Sequence, residues 1–325
     1  MARPRSEIDL DALVRGVRTG DPTAIAAALD RVEDARPGAL ADQRALLGRL
    51  EAETPRAHAV VGITGPPGAG KSTLAGVLIS EWLAQGAGAG MVAVDPTSRR
   101  SGGALLCDRA RLRFRPEERV FVRSLAARDQ LGGLAPAARA AVVVLRAAYP
   151  WVLVETVGVG QSEIDVATVA ETVVLVLQPG SGDALQFMKA GILEIPDVLV
   201  VHKWDLGALA ERTRADLEGM LALQSLDAGA WRPPVLGVSS TTRAGVAELV
   251  AAIARHRALL LRGALDERRA ANRVAWALEL FERRYGSFGV ERLGGREVAA
   301  SVAGATPGTA LDAFSALATR AGFAA

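Results

Sequence analysis

Cysteine is almost missing from the chain: Cys107 stands alone in 325 residues. That excludes an intramolecular disulfide and leaves no cysteine framework for a zinc site. Long apolar runs are missing as well, since none reaches the roughly 18 residues of a membrane span. The N-terminal stretch MARPRSEIDLD lacks the apolar centre of a signal peptide, so a cytoplasmic protein with no membrane partner is expected. Charge of one sign does not dominate either. The net charge of +2 is too small to suggest nucleic acid or an anionic surface as the main partner. Histidine is confined to His58, His202 and His256, which are spread too far apart to form a His/Cys-rich metal store. Lysine is just as scarce: of 38 Lys and Arg residues, the lysines are Lys71, Lys189 and Lys203. Where arginine serves everywhere else, a retained lysine marks a position that needs a compact ammonium on a flexible stem.

What is present is globular composition, 50% hydrophobic and 23% charged. Apolar runs at Ala59–Thr64, Met91–Asp95, Val120–Arg123, Trp151–Thr156, Thr172–Leu177, Val198–His202 and Val235–Ser239 predict strands. Several are apolar on consecutive residues, the pattern of parallel strands covered on both faces. Helical patterns lie between them, so the expected fold is an α/β doubly wound, mostly parallel sheet. Residues 7–53 read as two or three helices, interrupted at Asp21-Pro22 and Arg36-Pro37-Gly38. Beyond about residue 257 the pattern is helical again, with Val274, Leu278, Phe281 and Tyr285 on one face.

The strongest motif is AVVGITGPPGAGKSTL, in which Gly65-x4-Gly70-Lys71-Ser72 follows a strand and opens a helix. Backbone N–H groups of such a loop wrap phosphates, and the helix N-terminus adds its dipole. The loop would hold nucleotide through Gly65, Pro67, Gly68, Ala69, Gly70, Lys71, Ser72 and Thr73, with Lys71 on the β- and γ-phosphates and Ser72 on Mg²⁺. Two carboxylates end later strands. Asp95 could hold the hydration shell of Mg²⁺, and Glu155-Thr156-Val157-Gly158 matches the acidic-x-x-Gly arrangement. There a carboxylate faces the metal and the glycine N–H meets the γ-phosphate. No glutamine directly follows Gly158 and no arginine finger is evident, so hydrolysis should be slow unless a partner stimulates it.

The segment VVHKWDLG then decides the base. A guanine-reading loop has Asn, Lys, any residue and Asp, and here His202 stands in the first position. Asp205 can accept from guanine N1 and N2, donors that adenine lacks. The Lys203 stem can lie over the ring, and His202 can brace the loop with one ring nitrogen. About 30 residues on, VLGVSST supplies Ser239, Ser240 and Thr241 as a second base-contacting turn. GTP and GDP are the expected ligands.

Together GPPGAGKSTL, VAVDPTSRRSGGALLCDRAR, FVRSLAARDQLGGLA, VETVGVGQSEIDVA and QPGSGDALQFMKAGILEIPDVLVVHKWD resemble the MeaB/ArgK-type GTPases. These are chaperones of adenosylcobalamin-dependent acyl-CoA mutases such as methylmalonyl-CoA mutase. The resemblance runs from about residue 7 to 285. It implies an N-terminal helical segment (1–56), a P-loop GTPase domain (57–256) and a C-terminal helical region (257–325) that makes a homodimer. By motif it places Asp95, Asp108 and Glu155 at the metal and switch region, with Lys71, Glu155, Gly158 and Asp108 serving catalysis. Asp183 and Lys189 fall in a switch that the mutase rearranges. His202 departs from the family's Asn, and Thr97 and Cys107 stand where it often has Ser and Gly. A transport-associated kinase of the ArgK type, a metal-insertion GTPase and a non-enzymatic dimeric scaffold are the alternatives. The kinase would need a second substrate pocket and a lid.

Overall fold

The computed structural model describes residues 9–34, 36, 38–95, 119–126, 136–156, 165–180, 194–223 and 230–323. They form two compact units that interleave along the chain.

The unit built from Ala59–Ala135 and Pro150–Leu265 holds a sheet. Its strands are β1 (Ala59–Thr64), β2 (Ala89–Asp95), β3 (Val120–Ala126), β4 (Trp151–Glu155), β5 (Thr172–Leu177), β6 (Val198–His202) and β7 (Val235–Val238). All seven are parallel, in the order β3-β2-β4-β1-β5-β6-β7. The doubly wound expectation therefore holds. The expected strands all occur, three of them with the expected ends and the others shifted by a few residues: β2 begins at Ala89 and β3 runs on to Ala126.

Consecutive apolar residues make sense once both faces are covered. Val174, Val176, Val198 and Val200 point into one core with Leu74, Leu78 and Trp82 of helix α4 (Lys71–Ala84). Leu249 and Ile253 of a later helix (Val246–Leu261) join the same core. Their neighbours Leu175, Leu177, Leu199 and Val201 pack on the other face with Ala210 and Leu217 of the helix Ala208–Ala222. Each strand thus alternates between two dry layers. The order reverses around β1, with β4 on one side and β5 on the other, which is where an open parallel sheet leaves a crevice at its carboxyl edge.

The other unit is helical and takes Met1–His58, Pro136–Tyr149 and Asp266–Ala325. Three helices open it, α1 (Leu10–Thr19), α2 (Pro22–Val32) and α3 (Ala39–Glu53), and α5 (Pro136–Ala148) packs against all of them. Asp9 and Asp21 cap the first two, and Pro22 takes the first turn of the second, where its missing N–H costs nothing. The sheet unit's helices Ala208–Ala222 and Val246–Leu261 are named α6 and α7; Leu265–Arg292, Arg296–Ala305 and Ala310–Arg320 are α8 to α10, and the long α8 breaks at Gly286 (φ 64°, ψ −167°). Its face of Leu278, Phe281 and Tyr285 is covered from within the same unit. Tyr285 stacks on Phe323 at 4.2 Å and on Phe314 at 6.3 Å, and Phe281 is fully buried. A Thr309–Asp312 capping box starts α10. Among the described residues no helix is long and apolar enough to cross a membrane.

Candidate nucleotide site

Every described residue of the site lies in the sheet unit. β1 ends at Thr64 and α4 begins at Lys71, so the Gly65–Gly70 loop crosses the carboxyl edge of the sheet at its reversal. No side chain caps the α4 N-terminus, which leaves its first N–H groups to an anion. Lys71 is buried, and its Nζ donates to the Gly65 and Pro66 carbonyls at 2.7 and 3.0 Å. Register sets the opposite wall: Ile63 pairs with Glu155, so the carboxylate at the end of β4 arrives level with the loop. The Ser72 hydroxyl donates to Glu155 Oε1 at 2.6 Å. Two hard oxygen donors at the mouth of a phosphate loop fit Mg²⁺, which takes one or two protein oxygens and completes its shell with phosphates and water.

The base end is assembled from three loops. His202, 4% exposed, closes β6. Its Nδ1 lies 2.7 Å from the Ala69 carbonyl and its Nε2 2.8 Å from Ser240 Oγ. A carbonyl only accepts, so Nδ1 carries the proton and Nε2 accepts from the serine hydroxyl. Burial pushes the ring's pKa down; Lys203 adds to this, while the Ala69 bond and Asp205 oppose it. The ring is neutral at pH 7 and ties the phosphate loop to the second base turn. Gly70 (φ 95°) makes room for it, since a Cβ there would run into the imidazole.

Lys203 adopts left-handed backbone (φ 57°, ψ 44°), and its Nζ donates to the Gly68 carbonyl at 2.9 Å. Asp205 is exposed, and its Oδ1 accepts from Ser239 Oγ at 2.5 Å. The Ser239 hydroxyl, then the loop's own N–H, hold its carboxyl below the usual range. It is thus an ionised double acceptor at neutral pH, as guanine N1–H and N2–H₂ require. Ser239 is fully buried, and its hydroxyl also accepts from the Thr242 N–H at 3.2 Å. Thr241 is exposed on the same turn.

The structure thus brings together the loop Gly65–Thr73, Glu155, His202, Lys203, Asp205 and Ser239–Thr241. Asp108, Gly158, Asp183 and Lys189 lie outside the described residues, as does the side chain of Asp95, whose backbone ends β2. Two residues not singled out as site residues by the sequence also belong here. Gln178, just past β5, accepts from Lys203 Nζ at 3.0 Å. Gly237 pairs with Val201, and a Cβ on it would overlap the Trp204 ring. A glycine inside a strand signals such close approach, and VLGV carried that signal.

A family model described as methylmalonyl-CoA mutase-associated GTPase MeaB matches residues 25–287. The chain belongs to the MeaB family. A Pyrococcus abyssi protein named as a GTPase is 44% identical over 266 residues, 80% of each chain. GTPase ArgK of Escherichia coli is 33% identical over 279 residues, 83% of each chain. The mitochondrial methylmalonic aciduria type A homolog of Mus musculus is 38% identical over 193 residues, 58% of this chain and 46% of that one. The crystal structure of an LAO/AO transport system kinase superposes with a TM-score of 0.70 at 26% identity, covering 90% of this chain and 92% of that one. Like its MeaB relatives, this chain is a P-loop GTPase.

Proposed function

We propose that this GTPase assists and protects an adenosylcobalamin-dependent acyl-CoA mutase of the methylmalonyl-CoA mutase type, gating the loading of its cofactor. The observation that carries the reading is the match to a mutase-associated family over residues 25–287. The similarity to a protein named for methylmalonic aciduria agrees with it.

In this reading Asp205 selects guanine, the Lys203 stem covers the ring, and His202 and Ser239–Thr241 hold the base loops. Ser72 and Glu155 fit Mg²⁺, joined by motif by Asp95 and Asp108; when bound, the ion would neutralise charge on the phosphate oxygens. Lys71 leaves its loop carbonyls for the phosphates of GTP. Gly158, Asp183 and Lys189 are assigned to the segments that respond to nucleotide and to the mutase. The residues from 257 onward are assigned to a homodimer. The face of Leu278, Phe281 and Tyr285 is already covered within its own unit, so the dimer would use another. Phe288, 62% exposed, is the largest exposed apolar side chain in that region among the described residues.

GTP turnover measured with and without the cognate mutase tests the proposal. Stimulation of hydrolysis by the mutase is expected, and equal turnover in both would contradict it.

A further inference from the structure

Gln178 belongs to no motif of phosphate or base recognition, yet it touches the centre of the base site. Its Oε1 accepts from Lys203 Nζ at 3.0 Å, and the same ammonium donates to the Gly68 carbonyl at 2.9 Å. One ammonium therefore joins the exit of β5, the phosphate loop and the base loop. The backbone around it is costly in conformation. Among the described residues, the non-glycine residues with positive φ are Lys203 (57°) and Arg243 (66°). Side chains with a Cβ avoid that region, and such outliers persist where surrounding contacts fix them.

A lysine stem has four rotatable carbons and no preferred direction of its own. With the Gly68 carbonyl as sole acceptor, the ammonium could swing about one contact. The second acceptor, set on the end of a fully buried strand, fixes the line along which the stem runs. A stem held in place presents a flat row of methylenes to a purine; a mobile one must be ordered when the base arrives, which weakens binding.

We propose that Gln178 is a positioning residue for nucleobase binding, holding the Lys203 ammonium so that its stem forms a fixed platform for the purine ring. The proposal rests on the His202–Asp205 loop being the base site. Because a stem packs on any purine, the effect concerns base affinity and not the choice of guanine.

The test compares GTP, GDP and inorganic tripolyphosphate by calorimetric titration in Mg²⁺, using wild type, Gln178→Met and Gln178→Glu. Methionine keeps length and volume but removes the amide acceptor, while glutamate keeps an acceptor for the ammonium. Gln178→Met should weaken GTP and GDP by the same factor, about 3- to 10-fold for one partly exposed hydrogen bond. Tripolyphosphate, which has no base, should bind within about 2-fold of wild type, and Gln178→Glu should hold both nucleotides within about 3-fold. Unchanged nucleotide affinity in Gln178→Met would overturn the proposal. So would an equal loss for tripolyphosphate, which would mean that Gln178 shapes the phosphate loop through Gly68, or a matching loss in Gln178→Glu. Wild-type preference for GTP over ATP reports separately on guanine reading: its absence would remove that reading and leave the platform test standing.

Discussion

Replacing His202 with leucine should loosen two loops at once. The imidazole donates to the Ala69 carbonyl and accepts from Ser240 Oγ, and both His202 and Ala69 are buried. Leucine fills the space but bonds neither. Leaving a buried carbonyl without its donor costs about 1–3 kcal/mol, and the lost serine bond adds about 1. His202→Leu should therefore lower stability by about 2–4 kcal/mol in urea titrations. GTP affinity should fall about 10-fold or more, because the loops that hold phosphate and base are no longer tied. His202→Asn is the informative control. Its Nδ2 is as many bonds from Cα as the imidazole Nδ1 and can reach Ala69; nothing in it reaches Ser240. The loss should be about 1 kcal/mol. There is also a pH signature. Burial lowers the His202 pKa, so the unfolded chain takes up the proton before the native one does. Stability from this residue is complete above its ordinary pKa of about 6.5 and is lost as pH falls below it toward the depressed native value. His202→Asn should remove that part of the acid slope. If His202→Leu binds GTP and unfolds like wild type, the ring does not tie the loops together.

Gly237→Ala should be disproportionately harmful, because its Cβ would overlap the Trp204 ring and displace the loop that carries Asp205. A loss of about 1–3 kcal/mol in urea unfolding, together with weaker GTP binding, is expected; wild-type behaviour in both would show that the loops do not meet there. A second buried network in the sheet unit should matter for folding alone. His256 Nδ1 lies 2.9 Å from Thr172 Oγ1 and its Nε2 3.2 Å from Asp197 Oδ1. Asp197 also accepts from the Val173 N–H at 2.8 Å. His256→Ala should cost about 2–4 kcal/mol with GTP affinity retained, and a change under about 0.5 kcal/mol by urea titration would contradict it.

The parallel sheet was legible because both of its faces are buried: Thr172–Leu177 and Val198–His202 read as strands from unbroken apolar runs, and both occur with those ends. The phosphate loop was legible because its chemistry is local, with glycines, lysine and serine at fixed spacing between a strand and a helix. Gln178 was not, and Gly237 only as a glycine that signals some close approach, since what each meets depends on which strands lie side by side. Gln178 matters because β5 borders β6, and Gly237 because β7 pairs with β6. Periodicity likewise showed that Leu278, Phe281 and Tyr285 share a face but not that Phe314 and Phe323 cover it. Sequence order set α5 inside the span 57–256, whereas its contacts place it with α1–α3 in the helical unit. His202 gave half its meaning to sequence. That it braces a loop was readable; that it does so through two bonds of opposite polarity required its neighbours.

The most direct test of the account is the choice of base and its dependence on Asp205. GTP, ATP and XTP should be titrated in Mg²⁺ against wild type and Asp205→Asn. The carboxylate accepts from guanine N1–H and N2–H₂, while an asparagine NH₂ opposes those donors and instead suits the oxygen that xanthine carries at that edge. Wild type should prefer GTP over both rivals. Asp205→Asn should lose about 10- to 100-fold in GTP affinity and gain for XTP. Wild type that binds ATP as tightly as GTP, or a variant that keeps its GTP preference, would contradict the assignment of His202–Asp205 as a guanine reader.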